Sequence, residues 1–187
     1  MKVFFHSSIF SKSQYGKNYE KIVDICRLGN NIVFADHMLK RDYLDTDKFT
    51  REEHQRDFQN LTKQIKESDA VIVEGTAPSI GTGHYMTIAL NYLKPVLVLY
   101  QNDPHGVLVG DPNRLLSLKK YSLSDENDLK KKIYDFLDGA KRKTLKNRFN
   151  LMLDDETIDF LDSFSKKNKI SKADVIRRLI LEKIKTN

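Results

Sequence analysis

A chain of 187 residues is long enough for one full domain and a smaller appendage. Apolar residues make up 40% and charged residues 31% of it, and it contains no run of about 18 apolar residues that could cross a bilayer. These features predict a globular protein with a buried core and without membrane contact. A cytoplasmic location is expected because the first apolar patch is too short for a signal peptide and no small-residue cleavage site follows it.

The excess positive charge is confined to the C-terminal end. Residues 141–187 contain 13 of the 32 Lys and Arg residues and 7 of the 26 Asp and Glu residues, so residues 1–140 carry 19 of each. A basic end on a neutral body suggests a small-molecule domain joined to a segment that meets a polyanion, and nucleic acid is the usual candidate.

Strand and helix signals alternate over the first 138 residues. Short apolar runs predict strands at 3–5, 31–34, 70–74 and 95–100. The stretches between them predict helices at 15–28, 50–67 and 126–137, and a further helix after the Gly-rich segment 74–83. Continuous apolar strands interleaved with helices are typical of a parallel sheet covered on both faces. We therefore predict an α/β fold of the flavodoxin or Rossmann type.

The remaining residues predict a second, smaller domain. Residues 139–147 are polar, basic and aperiodic and are interpreted as a linker between domains at 1–138 and 148–187. The segment RFNLML (148–153) alternates as a strand does, Asp154 is a candidate N-cap for a first helix, and a second helix begins at Ser171. A strand and two helices of this size cannot bury their apolar faces alone, so we predict a homodimer or a higher homo-oligomer.

The order strand, helix, turn, helix and the segment RFNLMLDDETIDFL resemble the ribbon-helix-helix proteins over residues 147–185. In that family two chains pair their strands into a ribbon that enters the major groove of double-stranded DNA. The resemblance implies base or phosphate contacts from Arg148, Asn150, Met152, Lys169, Ser171 and Lys172. The alternative is that the tail only dimerises the protein and that its cations are solvated.

Two loops at strand carboxyl ends carry groups suited to an anion. HSSIF (6–10) follows the first strand and EGTAPSIGTG (74–83) follows the AVIVE strand. Ligands of such sheets bind outside the strand carboxyl ends, so we expect both loops to face one pocket. Glycines let the main chain approach a ligand, and helix-start amides bind phosphate or carboxylate. The predicted phosphate-binding residues are Ser7, Ser8, Ser79, Gly81 and Gly83. The alternative is that the Gly-rich turn merely connects strand to helix.

Further matches along the chain indicate a family. They are Ser68-Asp69-Ala70, Glu74, Pro78-Ser79, Gly81, Gly83-His84, Ala89-Leu90 and Lys94-Pro95, together with VFFHSSIF (3–10) and ADHM (35–38). In this order they resemble the nucleoside 2-deoxyribosyltransferase superfamily, above all its 2'-deoxynucleoside 5'-phosphate N-hydrolases. The resemblance covers residues 1 to about 138. It implies a site for a nucleotide or deoxynucleoside phosphate that adds Ile9, His37 and His84 to the residues named above.

The chain departs from this family at the reactive position. Breaking an N-glycosidic bond builds positive charge at the anomeric carbon, and the family answers with a carboxylate nucleophile. Its Glu falls at Tyr85 here, and a phenol with a reference pKa near 10 is a poor nucleophile at neutral pH. Tyr nucleophiles occur in sialidases, so the replacement does not forbid catalysis.

Other carboxylates are candidates for the reactive role. Asp57 resembles the family Asp on the helix before the AVIVE strand, but it lies further from Asp69 than the family spacing. Glu74 at the strand end and Asp36 are further candidates. The family also keeps a basic residue after the first loop, where Phe10 stands here.

Three functions stay open. The first is an N-glycosidase or deoxyribosyltransferase acting on a deoxynucleotide, with Tyr85 or Asp57 as catalytic residue. The second is a degenerate enzyme whose nucleotide-like ligand controls DNA binding or assembly through the tail, and the third is a scaffold with a vestigial pocket. The missing carboxylate favours the second. No cofactor is predicted, and the scattered His residues and the lone Cys26 lack the spacing of metal ligands.

Overall fold

The computed structural model describes residues 1–102, 106–143, 151–168 and 170–186. The chain divides into two compact units, Met1–Thr144 and Leu145–Asn187. Within the described residues, no helix combines the length and the apolar character needed to cross a bilayer.

The first unit alternates strands and helices in the predicted order. Its strands are β1 (Lys2–His6), β2 (Ile32–Phe34), β3 (Ala70–Glu74), β4 (Val96–Tyr100) and β5 (Leu116–Lys120). Its helices are α1 (Lys12–Leu28), α2 (Asp36–Leu39), α3 (Tyr43–Thr46), α4 (Arg51–Glu67), α5 (Ile80–Asn91), α6 (Gly106–Val109) and α7 (Glu126–Lys143), and a 3-10 turn covers Ile9–Ser11.

The described strands form one parallel sheet in the order β2-β1-β3-β4-β5, which is the flavodoxin order. The predicted α/β fold is therefore confirmed. From β1 the chain first moves outward to β2 and then returns to the other side of β1 as β3, so the topological switch point lies between β1 and β3. His6 pairs with Val73, which brings the carboxyl ends of these two strands side by side.

Both faces of the sheet are covered, which explains the continuous apolar runs of its strands. One face packs against α1 and α7, with Phe5, Ile72, Ile22 and Ile133 among the contacting residues. The other face packs against α4 and α5, with Phe4, Val71, Ile65 and Ala89 among them. Burying one such Phe, Ile or Val side chain contributes roughly 1.5–3 kcal/mol. The core therefore holds β1 and β3 firmly in register.

Two elements differ from the sequence prediction. Strand β5 was missed because it is a short edge strand in which only Leu116 and Leu118 alternate inward, while Lys119 and Lys120 are exposed. Charged residues commonly guard a sheet edge, and they weaken the apolar signal of the strand.

Helix α7 runs six residues past its predicted end, so residues 139–143 are helical and the linker prediction is wrong there. Ala140 is only 3% exposed and continues the buried series of Leu129, Ile133 and Leu137 at helical spacing. A single small Ala within a basic stretch was too weak a signal to extend the helix. Residues 144–147 of the predicted linker lie outside the described residues.

The second unit contains helices α8 (Asp155–Asn168) and α9 (Lys172–Thr186). The Asp154 carboxylate accepts a hydrogen bond from the Thr157 amide at 2.8 Å, which confirms the predicted N-cap. Of the predicted strand, residues 148–150 lie outside the described residues, and 151–153 are not in a strand.

Replacing Gly139 by Ala is expected to raise the free energy of unfolding by about 0.5–1 kcal/mol, because Ala favours a helix interior over Gly. An added Cβ would meet nothing within 4 Å, so no clash opposes the gain. Urea denaturation of the full chain measures it. Ala140→Asp is the contrasting variant and should cost more than about 2 kcal/mol, because it buries a carboxylate. If neither variant changed stability, this segment would not be a packed helix.

Candidate functional site

The carboxyl ends of β1 and β3 bring the two predicted loops into contact. Ser7, which follows β1, donates from its hydroxyl to the main-chain carbonyl of Glu74 at 2.8 Å. The Ser8 carbonyl accepts a hydrogen bond from the Tyr19 hydroxyl at 2.9 Å. Both serines are buried, and Ile9, which begins the 3-10 turn, is half-buried. The first loop is therefore held against the core and supports the second loop.

A cavity of about 240 Å³ opens between β3, β4 and the start of α5. Its polar and small lining residues include Gly75, Thr76, Ser79, Thr82 and Gly83. Ser7 and Ser8 do not line this cavity, although the structure brings their loop to its edge. Of the residues predicted to hold a phosphate, Ser79 and Gly83 meet at this cavity.

The last four residues of the Gly-rich segment, 80–83, are the first turn of α5, and residues 75–79 form the loop before it. Ser79 is its N-cap, with its Oγ 3.4 Å from the Thr82 amide. Gly81 and Gly83 are helical, and the described glycines include none with a positive φ. The expectation that they supply unusual backbone conformations is therefore wrong. Gly83 instead leaves open space, since a Cβ there would meet nothing within 4 Å. The amides of Ile80 and Gly81 have no earlier helix carbonyl to bond, whereas the Thr82 amide donates to Ser79 Oγ.

Sequence reasoning missed Thr82. Its side chain lines the cavity, the residue is 7% exposed, and its Oγ1 is buried without a hydrogen-bond partner among the described residues. Leaving a buried hydroxyl unpaired costs free energy, so this group is suited to bind a guest in the cavity. The available signal was a hydroxyl residue between two glycines in the first turn of a helix.

Tyr85 lies on a different side of α5, facing β1 and α4. Its ring meets the His6 ring edge-on with centroids 4.7 Å apart and packs against Phe58 at 6.0 Å. Burial raises the pKa of Tyr85 to about 12, the nearby Asp57 carboxylate raises it as well, and Arg41 opposes this. The phenol is therefore neutral at neutral pH and is a weak nucleophile.

Two histidines, His6 and His37, stack on each other, and His6 contacts the Tyr85 ring. His6 Nδ1 and His37 Nε2 are 3.1 Å apart, and the two rings stack with centroids 5.3 Å apart. Burial lowers the pKa of both imidazoles to about 3; His37 further lowers that of His6, and Asp57 opposes this shift. Both rings are neutral, so one donates to the other. His37 lines a separate polar cavity of about 350 Å³ with Arg41 and Asp57.

The carboxylates predicted as alternative nucleophiles are either in ion pairs or buried. Asp57 Oδ1 is 2.6 Å from Arg41 Nη1, in a partly buried ion pair. Glu74 is 0% exposed, and Asp36 is exposed and pairs with Lys40 at 2.7 Å. Within the described residues, no group of three or more His, Cys, Asp and Glu side chains could hold a metal ion.

Comparison with known proteins agrees with the fold and the motifs. No family model matches the chain. A protein of Methanosarcina barkeri named "Putative 2'-deoxynucleoside 5'-phosphate N-hydrolase 1" is 33% identical over 140 residues, which cover 73% of this chain and 84% of the relative. A protein of the same name from Methanosarcina mazei is 32% identical over 139 residues, covering 72% and 83%. This chain belongs to the nucleoside 2-deoxyribosyltransferase and deoxynucleoside 5'-phosphate N-hydrolase superfamily.

A solved structure of this superfamily shares the fold. The 2-deoxyribosyltransferase of Bacillus psychrosaccharolyticus superimposes with a TM-score of 0.52 at 20% identity, covering 70% of this chain and 90% of that one. The sequence resemblance implies a nucleophilic Glu at one position of α5, and this chain has Tyr85 there. His84, the preceding residue, is exposed and stacks on Phe58 at 5.8 Å.

The residues predicted to contact DNA lie in the second unit. Met152 is 98% exposed, and Ser171 is exposed just before α9. Lys172 pairs with Asp162 at 2.8 Å. Arg148, Asn150 and Lys169 lie outside the described residues.

Proposed function

We propose that this protein binds a deoxynucleoside 5'-phosphate and hydrolyses its N-glycosidic bond weakly or not at all. The observation that carries the proposal lies in α5. This helix begins with the Ile80 and Gly81 amides, which have no earlier helix carbonyl to bond, and with the Thr82 hydroxyl, which has no partner among the described residues. Three residues later it carries the neutral phenol of Tyr85. The named activity of the Methanosarcina relatives supports the substrate class.

The start of α5 is suited to the 5'-phosphate. The amides of Ile80 and Gly81 belong to the first turn, where no earlier helix carbonyl is available to them. The helix dipole adds partial positive charge at this end, and Thr82 adds a hydroxyl donor from the cavity wall. Phosphate oxygens accept all of these hydrogen bonds.

Weak hydrolysis follows from the groups beside Tyr85. The transition state of N-glycoside cleavage needs negative charge near the anomeric carbon. The phenol would have to ionise against a pKa of about 12, and the nearby Asp57 carboxylate makes that ionisation harder. Asp57 itself pairs with Arg41 and would have to leave that pair in order to attack.

Thr82→Val is expected to weaken binding of deoxynucleoside 5'-monophosphates about 5- to 10-fold, because it deletes one donor to the phosphate and keeps the side-chain shape. Isothermal titration of the full chain measures the change. Thr62→Val is the matched control, because the Thr62 hydroxyl is also buried and unpartnered within the described residues but does not line this cavity. Equal affinity of both variants would contradict the phosphate site.

The wild-type protein is expected to release free base from deoxynucleoside 5'-monophosphates far more slowly than about 1 per second. Tyr85→Glu should increase this rate, because it restores a carboxylate at the reactive position, and Tyr85→Phe should remain inactive while still binding nucleotide. Chromatographic detection of released base measures all three. Ordinary turnover by the wild type that Asp57→Asn abolishes would instead establish the active N-glycosidase.

We further propose that the second unit forms a homodimer that binds double-stranded DNA. Supporting the dimer, five apolar side chains of this small unit besides the outward-pointing Met152 are exposed, namely Leu151, Phe160, Phe164, Leu179 and Ile180. Supporting DNA binding, the whole excess charge of +6 lies in residues 141–187. A paired ribbon would present Arg148, Asn150 and Met152 to the bases, with Lys169, Ser171 and Lys172 at the phosphates.

Leu179→Glu is expected to convert a micromolar dimer into a monomer and to abolish salt-dependent DNA binding, because it puts a charge on the apolar face. Met152→Glu makes the same charge change at a position expected to point outward, and it should leave the dimer intact. Sedimentation velocity and fluorescence anisotropy with duplex DNA measure the two properties. A wild-type monomer at micromolar concentration would refute the dimer.

A further inference from the structure

A buried hydrogen-bond network joins the ends of three strands around Glu74. Glu74 Oε1 faces the Thr76 amide at 3.3 Å, the Thr76 hydroxyl, and the Tyr121 hydroxyl at 3.0 Å. Glu74 Oε2 is 3.3 Å from Ser7 Oγ. The network therefore joins the loop after β1, the loop after β3 and the end of β5.

The protons of this network can be counted. The Tyr121 hydroxyl accepts from Asn18 Nδ2 at 2.5 Å and can donate its proton to Glu74. The Thr76 hydroxyl accepts from the Gln101 amide at 3.1 Å and likewise donates to Glu74. Oε1 therefore receives three donors.

Oε2 has a different environment. Ser7 has a single hydroxyl proton, and its shorter contact is to the Glu74 carbonyl at 2.8 Å rather than to Oε2 at 3.3 Å. With that proton on the carbonyl, Ser7 Oγ turns a lone pair toward Oε2. One proton on Oε2 completes the network, since it would donate to Ser7, which donates to the carbonyl.

We propose that Glu74 is a positioning residue that works as a neutral carboxylic acid, locking the Ser7 and Thr76 loops together without placing a negative charge beside the cavity. Thr76 and Gly75 line that cavity, so the lock fixes part of its wall. The benefit for an anionic guest rests on the proposed function. An ionised Glu74 would repel a phosphate bound at the start of α5.

The surroundings of Glu74 favour the neutral form. It is 0% exposed, and burial raises its pKa although the hydrogen bonds with Thr76, Tyr121 and Ser7 lower it. The groups facing it come from the first loop, its own loop, α1 and the end of β5, and the titratable ones are Tyr19 and Tyr121. Burial raises the pKa of both tyrosines, and no cation among the described residues shifts the pKa of Glu74.

Glu74→Gln tests the proton directly. A Gln amide can donate to Ser7 and accept from Thr76 and Tyr121, so it should preserve the network. At neutral pH, infrared spectra of the full-length wild type are expected to contain a protonated-carboxyl band that Glu74→Gln lacks. Identical spectra in this region would overturn the proposal. This readout needs no ligand, so it stands apart from the proposed function.

The pH dependence of the unfolding free energy is a second readout, and the raised pKa of Glu74 fixes its direction. The folded pKa of Glu74 is raised, so its contribution is complete below the unfolded pKa of about 4.3 and is lost as pH rises through the folded pKa. The unfolding free energy of the wild type relative to Glu74→Gln should therefore decline over this window. A difference that stays constant with pH would contradict the raised pKa and the neutral acid with it.

Nucleotide affinity distinguishes a positioning role of Glu74 from a role in stabilising the fold only. With the four deoxynucleoside 5'-monophosphates as probes, Glu74→Gln should bind within about twofold of the wild type and Glu74→Ala at least about tenfold more weakly. Loss of binding in Glu74→Gln would overturn the neutral-acid role. If the wild type binds none of the probes, the proposed function fails, and the infrared band alone decides the state of Glu74.

Discussion

The parallel pairing of β1 with β3 decides where the site of this protein lies. The topological switch occurs between these strands, so both of their carboxyl ends open at one edge of the sheet. The register that pairs His6 with Val73 also brings Ser7 against the Glu74 carbonyl. Shifting this register by one residue would turn Phe4 and Val71 out of their shared apolar layer, so core packing protects the site geometry.

Different sides of helix α5 carry the cavity-lining residues and Tyr85. Thr82 and Gly83 line the cavity beside β3 and β4, while Tyr85, one turn later, packs against His6 and Phe58. Gly83 and Tyr85 are two residues apart, so they point to nearly opposite sides of a helix with about 3.6 residues per turn. Under the proposed function, the helix start would therefore keep its binding surface while the neighbouring position carries a phenol.

Desolvation disfavours the charged forms of the buried groups around this edge. It lowers the pKa of His6 and His37 and raises those of Tyr85 and Glu74. The Arg41 and Asp57 ion pair lies where both side chains are partly exposed. An anion entering the cavity then meets main-chain dipoles and hydroxyls rather than competing carboxylates. Under the proposed function, the same neutrality would account for both anion binding and weak hydrolysis.

The sequence alone determined the α/β architecture, the strand and helix order and the Asp154 cap, because burial on both faces and helix capping leave local patterns. It missed β5, the last turn of α7 and Thr82, whose local signals are weak, and it expected the buried Ser7 and Ser8 to be ligand-facing. Only the tertiary structure decided that Ser7 donates a hydrogen bond to Glu74, 67 residues away, and that Gly81 and Gly83 lie inside a helix. Hydrogen-bond partners and cavity walls depend on how distant segments pack, and residue order along one segment does not encode that packing.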